Sequence, residues 1–215
     1  MTIREDKKQQ TRQALLAAAL DLSFSKGSFA NISLREITHT VHIVPAAFYR
    51  HYTELNALGL ELADRVAMHV RSVFHQLGKT FLDRPYISPE ARLDFLLDNF
   101  DQYPEIWHFF IAERLSGNLV LRHAIQREHH FLLQEFTERI TDIPYLEDFS
   151  RTGLAPSLSS VSLQSAFHWA IQWIELKNQY QDEILLEKQQ RLKHSALKQI
   201  FFLQLSLISI EKSPV

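Results

Sequence analysis

The 215-residue chain contains no cysteine. A disulfide framework and a thiolate metal site are therefore excluded, and the composition suits a reducing compartment. Glycine (5) and proline (7) are scarce, which argues against a loop-rich β architecture and for helices. No apolar run approaches the roughly 18 residues that a membrane-spanning helix needs. The N-terminus, MTIREDKKQQ, lacks the apolar core of a signal peptide. A soluble, cytoplasmic protein without a membrane partner is expected. There is no P-loop, no paired-glycine fingerprint and no Ser/His/Asp order, so neither an enzyme nor a cofactor is expected. Eleven histidines are present. Neither His39 and His42 nor His129 and His130 has a third ligand at recognisable spacing, so no metal is expected.

What is present is 46% hydrophobic residues, ample for a core, and a formal net charge of -2. That net value hides an asymmetry. Residues 1–53 hold 7 Lys and Arg against 4 Asp and Glu, whereas the remainder holds 16 against 21. A modestly basic head precedes an acidic body.

Apolar residues recur at intervals of three and four over most of the chain. Leu15, Leu16, Ala19 and Leu22 predict a first helix over 7–26, stopped by Gly27. Ser33-Leu34-Arg35-Glu36 is a capping box that opens a short second helix, with Leu34, Ile37 and Val41 on one face. Pro45 suits the first position of a third helix over 45–52. A long stripe from Leu55 through Leu58, Leu62, Val66, Val70, Val73 and Leu77 to Phe81 predicts a fourth helix that ends before Pro85. Further helices are expected near 89–101, 105–115, 118–141, 161–179 and 184–208, with a loop over 143–160. The expected fold is all-α: a three-helix head over 1–53 and, beginning with the long fourth helix, a helical bundle over 54–215.

Two short helices joined by a tight turn behind a longer one form the pattern of a helix-turn-helix. In the connection His42-Ile43-Val44, histidine is one of the few residues other than glycine enriched at positive φ. On this reading Phe48 and Tyr52 face inward, and Tyr49, Arg50 and His51 face a polyanion. Phenol and imidazole are rigid donors for phosphate oxygens, and arginine neutralises a phosphate or reaches guanine. Arg35 lies beside the groove or pairs with a neighbour such as Glu36. The N-terminal arm, with Arg4, Lys7, Lys8 and Arg12, adds phosphate contacts.

The run SLREITHTVHIVPAAFYRHY, residues 33–52, followed by Leu55 and Leu58, resembles the DNA-binding domain of TetR-family transcriptional repressors. The resemblance implies an all-α homodimer. It implies a DNA-binding head, a body that binds a small ligand, and C-terminal helices that pair the subunits on palindromic duplex DNA. Two reading helices would then sit about one helical turn apart, roughly 34–36 Å. SFANISLREI, FYRHY, LGLEL and ERLSG, together with Arg122, are similar to the subgroup that represses unsaturated fatty-acid synthesis and desaturase genes. Those repressors sense acyl-CoA or acyl carrier protein. Ala46 and Ala47 stand where the family often carries Ser or Thr.

The body is rich in large apolar side chains. Trp107, Phe110, Phe131, Phe167 and Trp169 either line a pocket for an apolar ligand or pack a core. Glu113, Arg114 and Arg122 either hold a polar ligand head or pair with other helices. Trp173 and Phe201 are expected at a dimer interface. The alternatives are a regulator of drug efflux or, in another class, a small helical carrier or enzyme for an apolar substrate.

Overall fold

The computed structural model describes residues 3–79, 88–142 and 151–211, with side chains described from residue 5 to residue 203 within those spans. Phe81, Pro85, the first part of the expected 143–160 loop and the Arg4 side chain lie outside them. Among the described residues there are nine α-helices, one 3-10 turn and no strand. The helices are α1 (Ile3–Lys26), α2 (Leu34–Thr40), α3 (Pro45–Phe48), α4 (Leu55–Leu77), α5 (Pro89–Gln102), α6 (Pro104–Glu113), α7 (Leu119–Thr141), α8 (Ala155–Gln179) and α9 (Asp182–Glu211). The 3-10 turn η1 (Phe29–Asn31) lies between α1 and α2.

The chain forms two compact units that are not contiguous in sequence. The first gathers Met1–His69 with Glu105–Glu128, and the second gathers Val70–Pro104 with His129–Val215. The short head helices bury too little surface alone and gather with the start of α4, α6 and the start of α7 in the first unit.

In the first unit α1 buries Leu15, Leu16, Ala18 and Ala19. It ends where Gly27 adopts φ +78, and the Asn31 side-chain amide caps it by donating to the Lys26 carbonyl at 2.9 Å. The expected capping box is present. The Ser33 hydroxyl accepts from the Glu36 amide, and the Glu36 carboxylate accepts from the Ser33 amide at 2.9 Å. Glu36 also pairs with Lys26. His42 takes φ 57 and turns the chain between α2 and α3, a conformation that histidine tolerates better than most residues. The Ile43 amide then donates to the Thr38 carbonyl at 3.0 Å. Pro45 occupies the start of α3 as expected, but that helix is one turn long and residues 49–51 continue as turn.

In the second unit α5, α8 and α9 pack through Leu93, Phe100, Leu163, Phe167, Ala170 and Ala196. Phe74 meets Phe136 and Phe167 edge-on, each at a ring distance of 6.0 Å. Lys193 pairs with Asp94 at 2.6 Å. The expected loop is shorter than its serine and proline content indicated. Helix α8 begins at Ala155, with Pro156 in its first turn and Ala155 buried. Proline in the first turn has no hydrogen bond to lose, so it starts this helix rather than excluding it.

Gly59 marks a close approach of α4 to Phe29 and Leu121 in the first unit. A Cβ there would lie 2.8 Å from Phe29 Cζ and 2.9 Å from Leu121 Cδ1. Gly59→Ala is therefore expected to destabilise the fold by about 1–3 kcal/mol through overpacking, despite a gain of up to about 1 kcal/mol in helix propensity. Thermal unfolding would check this; a raised midpoint would show that the ring of Phe29 gives way freely.

Candidate nucleic-acid interface

Helix α3 has only four residues and cannot hold itself. Its position is set by two anchors on its inner side. Phe48 is fully buried, and Tyr52 is buried against it with the rings 5.6 Å apart. The Tyr52 hydroxyl donates to Glu61 Oε2 on α4 at 2.9 Å. Arg12 on α1 donates to the same carboxylate, its Nε 2.9 Å from Oε2, and lies over the Tyr52 ring at 5.0 Å. Arg65 adds a bond from its NH2 to Glu61 Oε1 at 2.8 Å and reaches Gln13 on α1. One carboxylate thus collects α1, the end of the reading segment and α4.

The electrostatics follow from this geometry. Burial pushes the Glu61 carboxyl upward, but the hydrogen bonds from Arg12, Tyr52 and Arg65 outweigh it and hold the group below its ordinary value. The Tyr52 phenol is pushed up, first by burial and then by donation to Glu61. Donation to Glu61 raises the Arg12 guanidinium.

Outward from these anchors the interface is exposed. Tyr49 is 62% exposed, and Arg35, Arg50, Lys7 and Lys8 are all exposed. Glu36 is committed to Lys26 and Ser33, so the alternative of an Arg35–Glu36 pair is not what the structure shows. His51 is half-buried rather than fully outward, and its Nδ1 is buried without a hydrogen-bond partner. Burial lowers its pKa, and the charges of Lys8, Arg12 and Arg50 lower it further. These three cations therefore act together at the end of the reading segment. Arg12 differs from the expectation. Its guanidinium braces the head through Glu61 instead of standing free for phosphate.

Two features escaped the sequence reading. Val44, just before Pro45, is 67% exposed, and with exposed Ala46 it gives the reading face an apolar centre. Its signal was an apolar residue that belongs to no helical stripe. The Glu61 hub had no legible signal, because Arg12, Tyr52 and Glu61 are distant in sequence and share no motif.

The remaining candidates divide between the units. Trp107, Phe110, Glu113, Arg114 and Arg122 lie in the first; Phe131, Phe167, Trp169, Trp173 and Phe201 lie in the second. Trp107, Phe110 and Glu113 are fully buried, and Arg114 and Arg122 are half-buried. Burial lowers the pKa of Arg114, although a guanidinium remains charged at neutral pH. Glu113 accepts from the Ser28 hydroxyl and the Phe29 amide, which commits one of its two oxygens to η1. Phe167 and Trp169 are buried, with the Trp169 indole donating to Gln199 at 2.9 Å, whereas Phe131 is exposed. Trp173 is buried and donates to Asp101 at 2.8 Å, where Lys177 also binds. Its side chain is therefore used within the subunit. Phe201 is 59% exposed.

No family model matches the chain. An "Uncharacterized HTH-type transcriptional regulator" of Haemophilus influenzae is 28% identical over 139 residues, covering 65% of this chain and 67% of that protein. A TetR/AcrR-family transcriptional regulator from Aquifex aeolicus superposes with a TM-score of 0.59 at 17% identity, covering 89% of this chain and 98% of its own. Reduced NemR of E. coli superposes with a TM-score of 0.54 at 15% identity, covering 86% and 96%. The chain has the TetR/AcrR regulator fold and a helix-turn-helix regulator as a homologue. The Haemophilus influenzae and Aquifex aeolicus proteins are both described as transcriptional regulators.

The Glu61 hub predicts a pH dependence with a definite sign. A carboxyl whose folded pKa lies below its unfolded value, about 4.3, contributes stability that is present above that pH and is lost as pH falls through the folded value. Tyr52→Phe removes one of the hydrogen bonds to the charge and is expected to cost about 1–2 kcal/mol at neutral pH. Glu61→Gln is expected to flatten the acid limb of stability. Urea unfolding between pH 3 and 7 would check both, and an unchanged acid limb in Glu61→Gln would remove the hub from the account.

Proposed function

We propose that the protein is a ligand-responsive transcriptional regulator that binds palindromic duplex DNA as a homodimer. The observation that carries the DNA reading is the reading face itself. Arg35, Tyr49, Arg50, Lys7 and Lys8 are exposed on a head whose Phe48 and Tyr52 are buried. Short helix α3 enters a major groove, where Val44 and Ala46 meet thymine methyls and Arg35 reaches a base edge. Tyr49, Arg50 and the lysines hold phosphates. Exposed Phe201 and Phe202 on α9 supply the apolar surface for pairing two subunits.

The target class is lipid metabolism, and the ligand is a long apolar molecule with an anionic head, such as an acyl-CoA or acyl carrier protein. The support is the half-buried pair Arg114 and Arg122 in the unit that holds the reading head, together with the similarity of SFANISLREI, FYRHY, LGLEL and ERLSG to the desaturase-gene repressors. Such a ligand regulates only if it prefers the conformation that does not bind DNA; equal affinity for both states shifts nothing.

Selection from a randomised duplex pool tests the DNA reading. A palindrome bound by a dimer in light scattering is expected, with affinity falling roughly 10³–10⁵-fold between 50 and 200 mM salt if about 6–10 phosphates are neutralised. Arg35→Ala is expected to cost about 1–3 kcal/mol and relax preference at one position, whereas Tyr49→Phe weakens all sequences alike. A flat salt response would refute DNA binding, and identical specificity profiles would refute the assignment of roles.

The ligand reading has its own test. Affinity for acyl-CoAs is expected to rise with chain length, by about 0.8 kcal/mol per buried methylene, until the site is full. Arg114→Ala or Arg122→Ala should weaken the thioester more than the free fatty acid. Equal response to flat aromatic cations would favour the drug-efflux alternative.

A further inference from the structure

Helix α6 ends in a side chain that has no place in a DNA-reading face, yet it holds the segment from which the reading helices start. Turn η1 is a single 3-10 turn, and its first amides have no partner within the helix. Glu113 supplies one. Its Oε1 accepts from the Phe29 amide at 2.8 Å and from the Ser28 hydroxyl at 2.9 Å. The Ser28 oxygen in turn accepts from the Ala30 amide at 3.1 Å. The ring of Phe29 is locked as well. It is fully buried, meets Phe109 of α6 edge-on at 6.4 Å and fills the space that Gly59 leaves open. Four residues after Phe29, Ser33 opens α2, so the register of η1 sets that of α2 and α3.

Glu113 is an expensive way to fill this position. It is 0% exposed, and its Oε2 is buried with no hydrogen-bond partner. A buried carboxylate with an unsatisfied oxygen costs more than an apolar side chain of similar volume. The bond to the Phe29 amide offsets part of that cost, and the second oxygen offsets none of it.

We infer that Glu113 is a positioning residue for DNA recognition, whose carboxylate holds η1, and through it α2 and α3, in the register that reads DNA. The inference rests on the proposed DNA-reading function. It also requires reciprocity: if the bond belongs to the DNA-competent state, bound DNA must strengthen the bond by the factor that the bond strengthens DNA binding.

The test uses the full chain, the duplex that the wild-type protein selects and a scrambled duplex of equal length. Affinities are measured well below each variant's unfolding midpoint. Glu113→Leu keeps the volume and removes the acceptor. It is expected to weaken the selected duplex at least about tenfold, in the usual range of coupling between sites, and the scrambled duplex much less. Glu113→Gln keeps an acceptor oxygen and should recover most of the loss. Ser28→Ala, which removes one of the two donors, should fall between. The Phe29 amide is expected to exchange more slowly in the wild-type complex than in the free protein. A purely structural role would lower the unfolding midpoint and leave the folded protein's discrimination between duplexes intact, which would overturn the inference. Equal losses for Leu and Gln would overturn it too. If Glu113→Leu does not fold, the Phe29 exchange rate and Ser28→Ala decide; no change in either refutes the latch. A wild-type protein that selects no duplex at all overturns the DNA reading and this inference together.

Discussion

A single carboxylate, Glu61, holds the head in one piece. A four-residue helix such as α3 forms too few internal bonds to persist alone, so its orientation is imposed from outside. Phe48 and Tyr52 provide burial, which has no direction, and the bond from the Tyr52 hydroxyl to Glu61 provides direction. The same anion takes Arg12 from α1 and Arg65 from its own helix. A partly buried charge is tolerable only when its lone pairs are met by donors, and here donors arrive from each element that has to be aligned. The alignment of the reading segment is thus a by-product of solving the desolvation of one side chain.

That solution has a consequence for the surface. Because Arg12 is bound to Glu61 and Lys26 to Glu36, the remaining exposed cations among the described residues of the head are Lys7, Lys8, Arg35 and Arg50. The face between them is apolar, made by Val44 and Ala46, with the Tyr49 ring alongside. Few polar groups remain on that surface, which is why the proposed recognition assigns base contacts to Arg35 and methyl contacts to Val44 and Ala46. The lowered pKa of His51 fits the same picture: burial and three neighbouring cations keep it neutral, so it adds no charge of its own at neutral pH.

Glu113 repeats the logic at the other side of the head. It too is an acid that meets otherwise unpaired donors, the Phe29 amide and the Ser28 hydroxyl at the start of η1. Unlike Glu61, it leaves one oxygen unsatisfied. The two carboxylates divide the work between fixing the internal geometry of the head and tying the head to α6.

Much of this molecule was legible in one dimension. The stripe from Leu55 to Leu77, the Ser33–Glu36 capping box, Pro45 at a helix start and a positive φ at His42 are local matters, decided by periodicity, side-chain reach and backbone sterics within a few residues. Those rules hold whatever the rest of the chain does, so an all-helical body behind a helix-turn-helix followed from them. The length of the 143–160 loop was misjudged for a local reason as well, since Pro156 is as suited to the first turn of α8 as to a loop. The partners of long charged side chains were another matter. Arg12 meets Glu61 across 49 positions, Glu113 meets Ser28 across 85, and Trp173 meets Asp101 across 72. The residues in these pairs share no spacing and no motif. Which donor finds which acceptor depends on how helices pack, and packing fixes it only after the chain has folded, because a buried charge must then take whatever partner the neighbouring helix presents.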